Sequence, residues 1–116
     1  MNRNSFVAIL ILSVFLVSEL HAQTLTQTVR GTVVDQVSQS PLPGANVIVV
    51  NSNPFLGAAT DLDGAFVLKN VPVGKQTLKI SFLGYKEYIL PNITVTTGKE
   101  VVLSVSLEEN VVMGKE

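Results

Sequence analysis

The chain has 116 residues, 47% of them hydrophobic and 15% charged, with eight Lys+Arg against nine Asp+Glu and a formal net charge of -1. That length holds one small domain, and the near-neutral balance supplies no basic field for phosphate backbones, which excludes nucleic-acid binding as the main task. With no Cys and a single His, His21, the chain has no disulfides, thiolate nucleophiles, Cys-based metal sites or His clusters.

In chain order, residues 1–22 read as a secretory signal peptide. Arg3 precedes an uncharged apolar run, Phe6–Val17, whose length suits a signal h-region and falls well short of the roughly 20 residues that span a bilayer as a helix. Cleavage is expected between Ala22 and Gln23. His21 leaves with the signal, and the absence of a Cys after the cut excludes a lipoprotein anchor. Residues 23–109 are then the folded domain, and residues 110–116 a flexible C-terminal segment.

The period of the hydrophobic pattern in the mature part is two. Leu78, Ile80 and Phe82 alternate with Thr77, Lys79 and Ser81, and Val101, Leu103, Val105 and Leu107 alternate with Val102, Ser104 and Ser106. Such alternation marks half-buried strands. The run Ala45–Val50 is apolar almost throughout and reads as a strand covered on both faces or central in its sheet. Seven strands are expected: Thr28–Val34, Ala45–Asn51, Gly57–Thr60, Ala65–Lys69, Gln76–Leu83, Tyr85–Leu90 and Val101–Leu107, with Ile93–Thr96 as a further edge piece. Short strands punctuated by turn residues, with no helical pattern, predict an all-β, seven-stranded antiparallel β-sandwich.

The turns carry their own chemistry. In Pro41-Leu42-Pro43-Gly44 the prolines fix φ and Gly44 permits a left-handed step that delivers Ala45 into the next strand. In Asp61-Leu62-Asp63-Gly64 the Asp side chains are suited to capping backbone N–H groups while Gly64 takes a positive φ, closing a hairpin before Phe66 enters the core. Gly84 marks a strand break before Tyr85. A calcium reading of Asp61, Asp63 and Gly64 fails on ligand count, because the fifth and twelfth positions of an EF-hand loop would be Ala65 and Pro72. No metal or cofactor is expected.

The blocks RGTVVD (Arg30–Asp35), PLPGANVIV (Pro41–Val49), GAATDLDGAFVL (Gly57–Leu68), NVPVGKQTLKISFLGY (Asn70–Tyr85) and LSVSLEE (Leu103–Glu109), in this order, resemble the carboxypeptidase-regulatory-like domain. The resemblance covers Val29–Glu109 and implies a transthyretin-like sandwich. It is similar in particular to the domain that follows the signal peptide in Bacteroidetes TonB-dependent outer-membrane receptors. It implies no catalysis, since the zinc ligands and catalytic Glu of the neighbouring carboxypeptidase domain have no counterpart here.

An enzyme is not expected on the residues either. The acids Asp35, Asp61, Asp63, Glu87, Glu100, Glu108 and Glu109 fall at strand ends or turns, and no phosphate loop or nucleophile elbow is present. Contact residues are sought instead in Phe55, flanked by Pro54 and Leu56, and in Val111, Val112 and Met113 of the C-terminal segment. The resemblance implies a protein partner, either a receptor plug and barrel or the periplasmic energising machinery, with outer-membrane association through that partner and an exported, periplasmic location. The alternative is a stand-alone exported module that binds carbohydrate or protein.

Overall fold

The computed structural model describes residues 24–111. The expected signal peptide and cleavage site, Val112 and Met113 lie outside the described residues. Seven strands follow one another: β1 (Thr26–Asp35), β2 (Asn46–Val49), β3 (Gly57–Ala59), β4 (Ala65–Pro72), β5 (Gly74–Ser81), β6 (Tyr88–Val95) and β7 (Val101–Leu107). They form a three-stranded sheet of order β4-β1-β7 and a four-stranded sheet of order β3-β2-β5-β6.

The alternating pattern decides what each sheet buries. Leu78 and Ile80 of β5 point inward while Lys79 and Ser81 point outward, and Val105 and Leu107 of β7 are buried while Val102, Ser104 and Ser106 are exposed. The core closes where Val29, Val33, Phe66, Leu68, Val105 and Leu107 of the first sheet meet Val47, Val49, Leu78, Ile80 and Val95 of the second. Each such side chain contributes about 1.5–3 kcal/mol relative to its exposed state. β2 lies centrally between β3 and β5, which accounts for its nearly continuous apolar run.

All seven expected strands are present, and several details differ from the sequence reading. The sandwich is not wholly antiparallel. β7 runs parallel to β1 in the register Val29↔Val101 to Asp35↔Leu107, whereas β4 is antiparallel on the other side of β1. A period of two fixes which face is buried and carries no information on which strand lies alongside, so the closing strand's insertion beside the first was not readable. The pairing is tight: the Leu103 carbonyl occupies the space that a Cβ on Gly31 would need.

β6 spans Tyr88–Val95 rather than Tyr85–Leu90 and absorbs the expected edge piece at Ile93. Pro91 falls where the β5–β6 register shifts, between the pairs Leu78↔Leu90 and Gln76↔Ile93, and the strand continues past it because β6 is an edge strand on which a missing N–H is tolerated. Tyr85 falls outside it, in an isolated bridge with Glu109. β4 and β5 extend to Pro72 and from Gly74, so the expected break between them shrinks to a tight crossover from one sheet to the other in which Gly74 has φ +125. β2 is shorter than expected, and Asn51 lies beyond its end with φ +62.

Candidate functional site

One pole of the sandwich gathers three turns and the exit of the chain. The first turn follows β1, where Asp35 Oδ1 accepts the N–H groups of Val37 and Ser38, both at 2.8 Å. The second joins β3 to β4. Asp61 Oδ1 accepts the N–H groups of Asp63 and Ala65, both at 2.9 Å, and the Gly64 carbonyl accepts the Val33 N–H at 2.8 Å, tying this turn to β1; it is a crossover between the two sheets rather than the expected hairpin, since β3 and β4 do not pair. Of the two acids expected to cap, Asp61 does so, while Asp63 is exposed and contributes its amide. Gly64 sits at φ +75, and a Cβ there would lie 2.6 Å from the Val33 carbonyl oxygen.

The third turn contains Gly84 at φ +87, with open space around its missing side chain. Its carbonyl accepts the Asn110 N–H at 2.8 Å, and the Lys86 N–H donates to the Glu108 carbonyl at 2.8 Å. After leaving β7, the chain therefore crosses to the second sheet and pairs with residues 84–86. Asn110, which the sequence reading places in the C-terminal segment, is held by this bond, and residues 112–116 lie outside the described residues. Val111, the last described residue, is 64% exposed.

Tyr85 locks these pieces together. Its hydroxyl donates to Asp35 Oδ2 at 2.6 Å, and its ring lies 5.6 Å from that of Phe82 at an interplanar angle of 45°. The Tyr85 hydroxyl, with the Ser38 and Val37 amides, holds the Asp35 carboxyl below its ordinary value of 3.8. The same bond, with desolvation and the nearby charges of Asp35 and Glu109, pushes the Tyr85 phenol up to about 12.

Around this lock, Val37, Leu62 and Leu83 stand at the turn tips, exposed by 92%, 86% and 95%. Each is a single exposed aliphatic side chain of a kind common on protein surfaces. The sequence reading did not single them out, since each lies alone among turn residues.

Elsewhere the expected residues are dispersed. Gly44, at φ +84, donates its N–H to the Thr60 carbonyl at 2.9 Å, and Pro43 is exposed beside it. Thr60, the one buried polar residue among those described, accepts the Ala45 N–H at 2.8 Å and donates to the Leu42 carbonyl, so it staples the loop that Pro43 and Gly44 shape. Phe55 is 71% exposed and lies far in the chain from the pole, with its ring over Gly57 on the outer face of the second sheet. Asn46, Ile48, Lys79 and Ser81 line the shallow depression beside it. Among the described residues no three His, Cys, Asp or Glu side chains come together to hold a metal ion.

The strand order and the matching sequence blocks decide the family. The chain belongs to the carboxypeptidase regulatory-like domain family. The family's sequence profile matches residues 28–108, nearly the whole described domain. No curated protein is significantly similar to the chain.

Among solved structures, the domain is similar to a type II cohesin–X-dockerin complex from Acetivibrio cellulolyticus, a C-terminal interface mutant, with 28% identity, a TM-score of 0.57, and coverage of 68% of this chain and 52% of that chain. It is similar to the Bacillus anthracis TIE protein at 25% identity and a TM-score of 0.61, covering 73% of this chain and 17% of that one. The minor pilin GBS52 of Streptococcus agalactiae shares the fold at 17% identity and a TM-score of 0.55, covering 80% of this chain and 48% of the pilin. The domain spans about half the length of the first of these and a smaller share of the second.

Proposed function

We propose that this domain is a non-catalytic interaction module, exported to the periplasm, where it serves as the N-terminal accessory domain of a TonB-dependent outer-membrane uptake receptor. The observation that carries the reading is the pole itself. The chain emerges at Val111 from a segment pinned by residues 84–86, beside Val37, Leu62 and Leu83. Whatever engages the domain there, a receptor plug or the periplasmic machinery that energises it, meets three exposed aliphatic turn residues and the main chain at Val111. Membership of a regulatory-like domain family and similarity to a component of a cohesin–dockerin complex support a binding role.

A photo-crosslinking residue at Leu83 in exporting cells tests this. The expected product joins the domain to a polypeptide with a plug and barrel or to a periplasmic energising protein, and the recovered domain begins at Gln23. An intact Met1 on the recovered protein would sink the export reading. A second reading rests on Phe55, whose exposed ring beside Asn46 and Ser81 offers a stacking face with hydrogen-bonding neighbours. Specific retention on a glycan array, abolished by Phe55→Ala, together with no crosslink at Leu83, would favour a stand-alone carbohydrate-binding module.

A further inference from the structure

The end of the sandwich opposite the chain exit holds a cleft that neither proposed role uses. β1 runs from this end to the turn at Asp35, so the two ends stand about 30 Å apart. Three pieces of chain meet here: the start of β1, the loop from β2 to β3, and the crossover from β4 to β5. Between them lies a cleft of about 400 Å³, a size common among small-molecule sites.

Its walls are held in place by the fold. The Val73 N–H donates to the Leu25 carbonyl and the Val49 N–H to the Leu56 carbonyl, both at 3.0 Å, and Gln76 Nε2 donates to the Pro72 carbonyl at 2.9 Å. A ligand entering the cleft therefore meets ordered chain rather than having to order it.

The lining has a narrow chemistry. Thr24 and Thr26 supply hydroxyls, and Asn53 and Asn70 supply carboxamides. Of the polar side chains lining the cleft, only Ser52 is engaged within the described residues: its Oγ accepts the Leu56 N–H at 2.9 Å and keeps its own proton to donate. Asn70 has φ +62, a conformation that Asn and Gly take most readily. Glycine would serve the backbone there as well, which leaves the carboxamide free for another task.

Pro54, Leu56 and Pro72 complete the lining with apolar surface, and no charged side chain joins them among the described residues. A phosphate, carboxylate or ammonium group would lose its water here and gain no counter-charge. A wholly apolar ligand would leave the amides and hydroxyls unpaired. A sugar ring matches both halves, since its hydroxyls donate and accept as a carboxamide does, and its C–H face is apolar.

We propose that this cleft binds a neutral mono- or disaccharide, with Asn53 and Asn70 bonding neighbouring hydroxyls and the C–H face of the ring resting on Leu56 and the two prolines. The cleft shares no lining residue with the depression beside Phe55, and it stays open when a partner covers the pole at Val111. It depends on neither role proposed above.

The test follows the amide NMR signals of isotope-labelled protein, recovered from exporting cells, during titration with glucose, galactose, mannose, N-acetylglucosamine and cellobiose. At least one sugar is expected to shift residues 24–26, 52–56 and 70–72 in a saturable manner. Asn70→Gly, which removes the carboxamide and retains access to positive φ, should weaken that binding about tenfold with an unchanged thermal midpoint. Thr26→Val, which keeps the shape and loses the hydroxyl, should weaken it as well. Phe55→Ala should leave it unchanged.

An absence of shifts with every sugar of the panel would overturn the proposal. So would binding abolished by Phe55→Ala and untouched by Asn70→Gly, or tighter binding of glucose phosphate than of glucose, since the cleft would then recognise charge. None of these outcomes bears on the Leu83 crosslink at the opposite end.

Discussion

At the scale of single residues, two positions carry more than their size suggests. Gly64 and Gly84 both have positive φ, at +75 and +87, yet only at Gly64 does the surrounding backbone fill the space of a side chain. Gly84→Val therefore costs the conformational strain alone, about 1–3 kcal/mol. Gly64→Val adds a collision with the Val33 carbonyl and with Pro41, and is expected to lose at least about 1 kcal/mol more in denaturant unfolding. Equal costs at the two sites would show that the turn relaxes freely. Thr60→Val keeps the shape of the side chain but strips the Leu42 carbonyl and the Ala45 N–H of their buried partner, for an expected loss of about 1–3 kcal/mol. Thr60→Ser, which retains the hydroxyl, should recover most of it, and a neutral Thr60→Val would mean that water replaces the hydroxyl.

Between elements, the bond from Tyr85 to Asp35 ties the loop after β5 to the end of β1 across 50 residues of sequence. Its contribution has a defined pH window. The carboxyl is held below 3.8, so its share is present above that value and is lost as pH falls through the lower folded pKa. The phenol is raised from 10.0 to about 12, so its share is complete below 10.0 and is lost as pH rises through about 12. Tyr85→Phe should lower the thermal midpoint between about pH 4 and pH 10, and the difference from the unmodified protein should shrink below and above that window. A difference independent of pH would assign the effect to ring packing on Phe82 instead. Strand existence was legible from period two, and the turns at Pro43, Gly44, Asp61 and Gly64 from residues whose backbone preferences act locally. What a strand pairs with depends on residues far away in sequence, which is why the parallel β1–β7 pair, the Asp35–Tyr85 bond and the role of Thr60 left no local trace. Pro91 marks the register shift in the β5–β6 pairing, but on an edge strand it does not end the strand.

For the molecule as a whole, the decisive boundary is where the domain stops and its connection to a partner begins. Residues 108–110 add two backbone hydrogen bonds to the turn at 84–86, a bridge between Tyr85 and Glu109, and an exposed ion pair from Lys86 to Glu108 that contributes little. Val111 has no bond of this kind among the described residues and is largely exposed. Removing residues 111–116 is therefore expected to leave the thermal midpoint within about 2 °C of the intact protein, whereas removing residues 108–116 forfeits two bonds worth about 0.5–1.5 kcal/mol each and should lower it by several degrees. Scanning calorimetry of the two truncations distinguishes these outcomes. If the shorter deletion already unfolds the domain, the C-terminal segment is part of the core and cannot be free to join a plug. If neither deletion changes the midpoint, the pairing with residues 84–86 carries no stability. A step between the two truncations would place the domain's edge at Asn110 and leave Val111, just past a segment held by residues 84–86, as the first residue free to join the sheet of a partner.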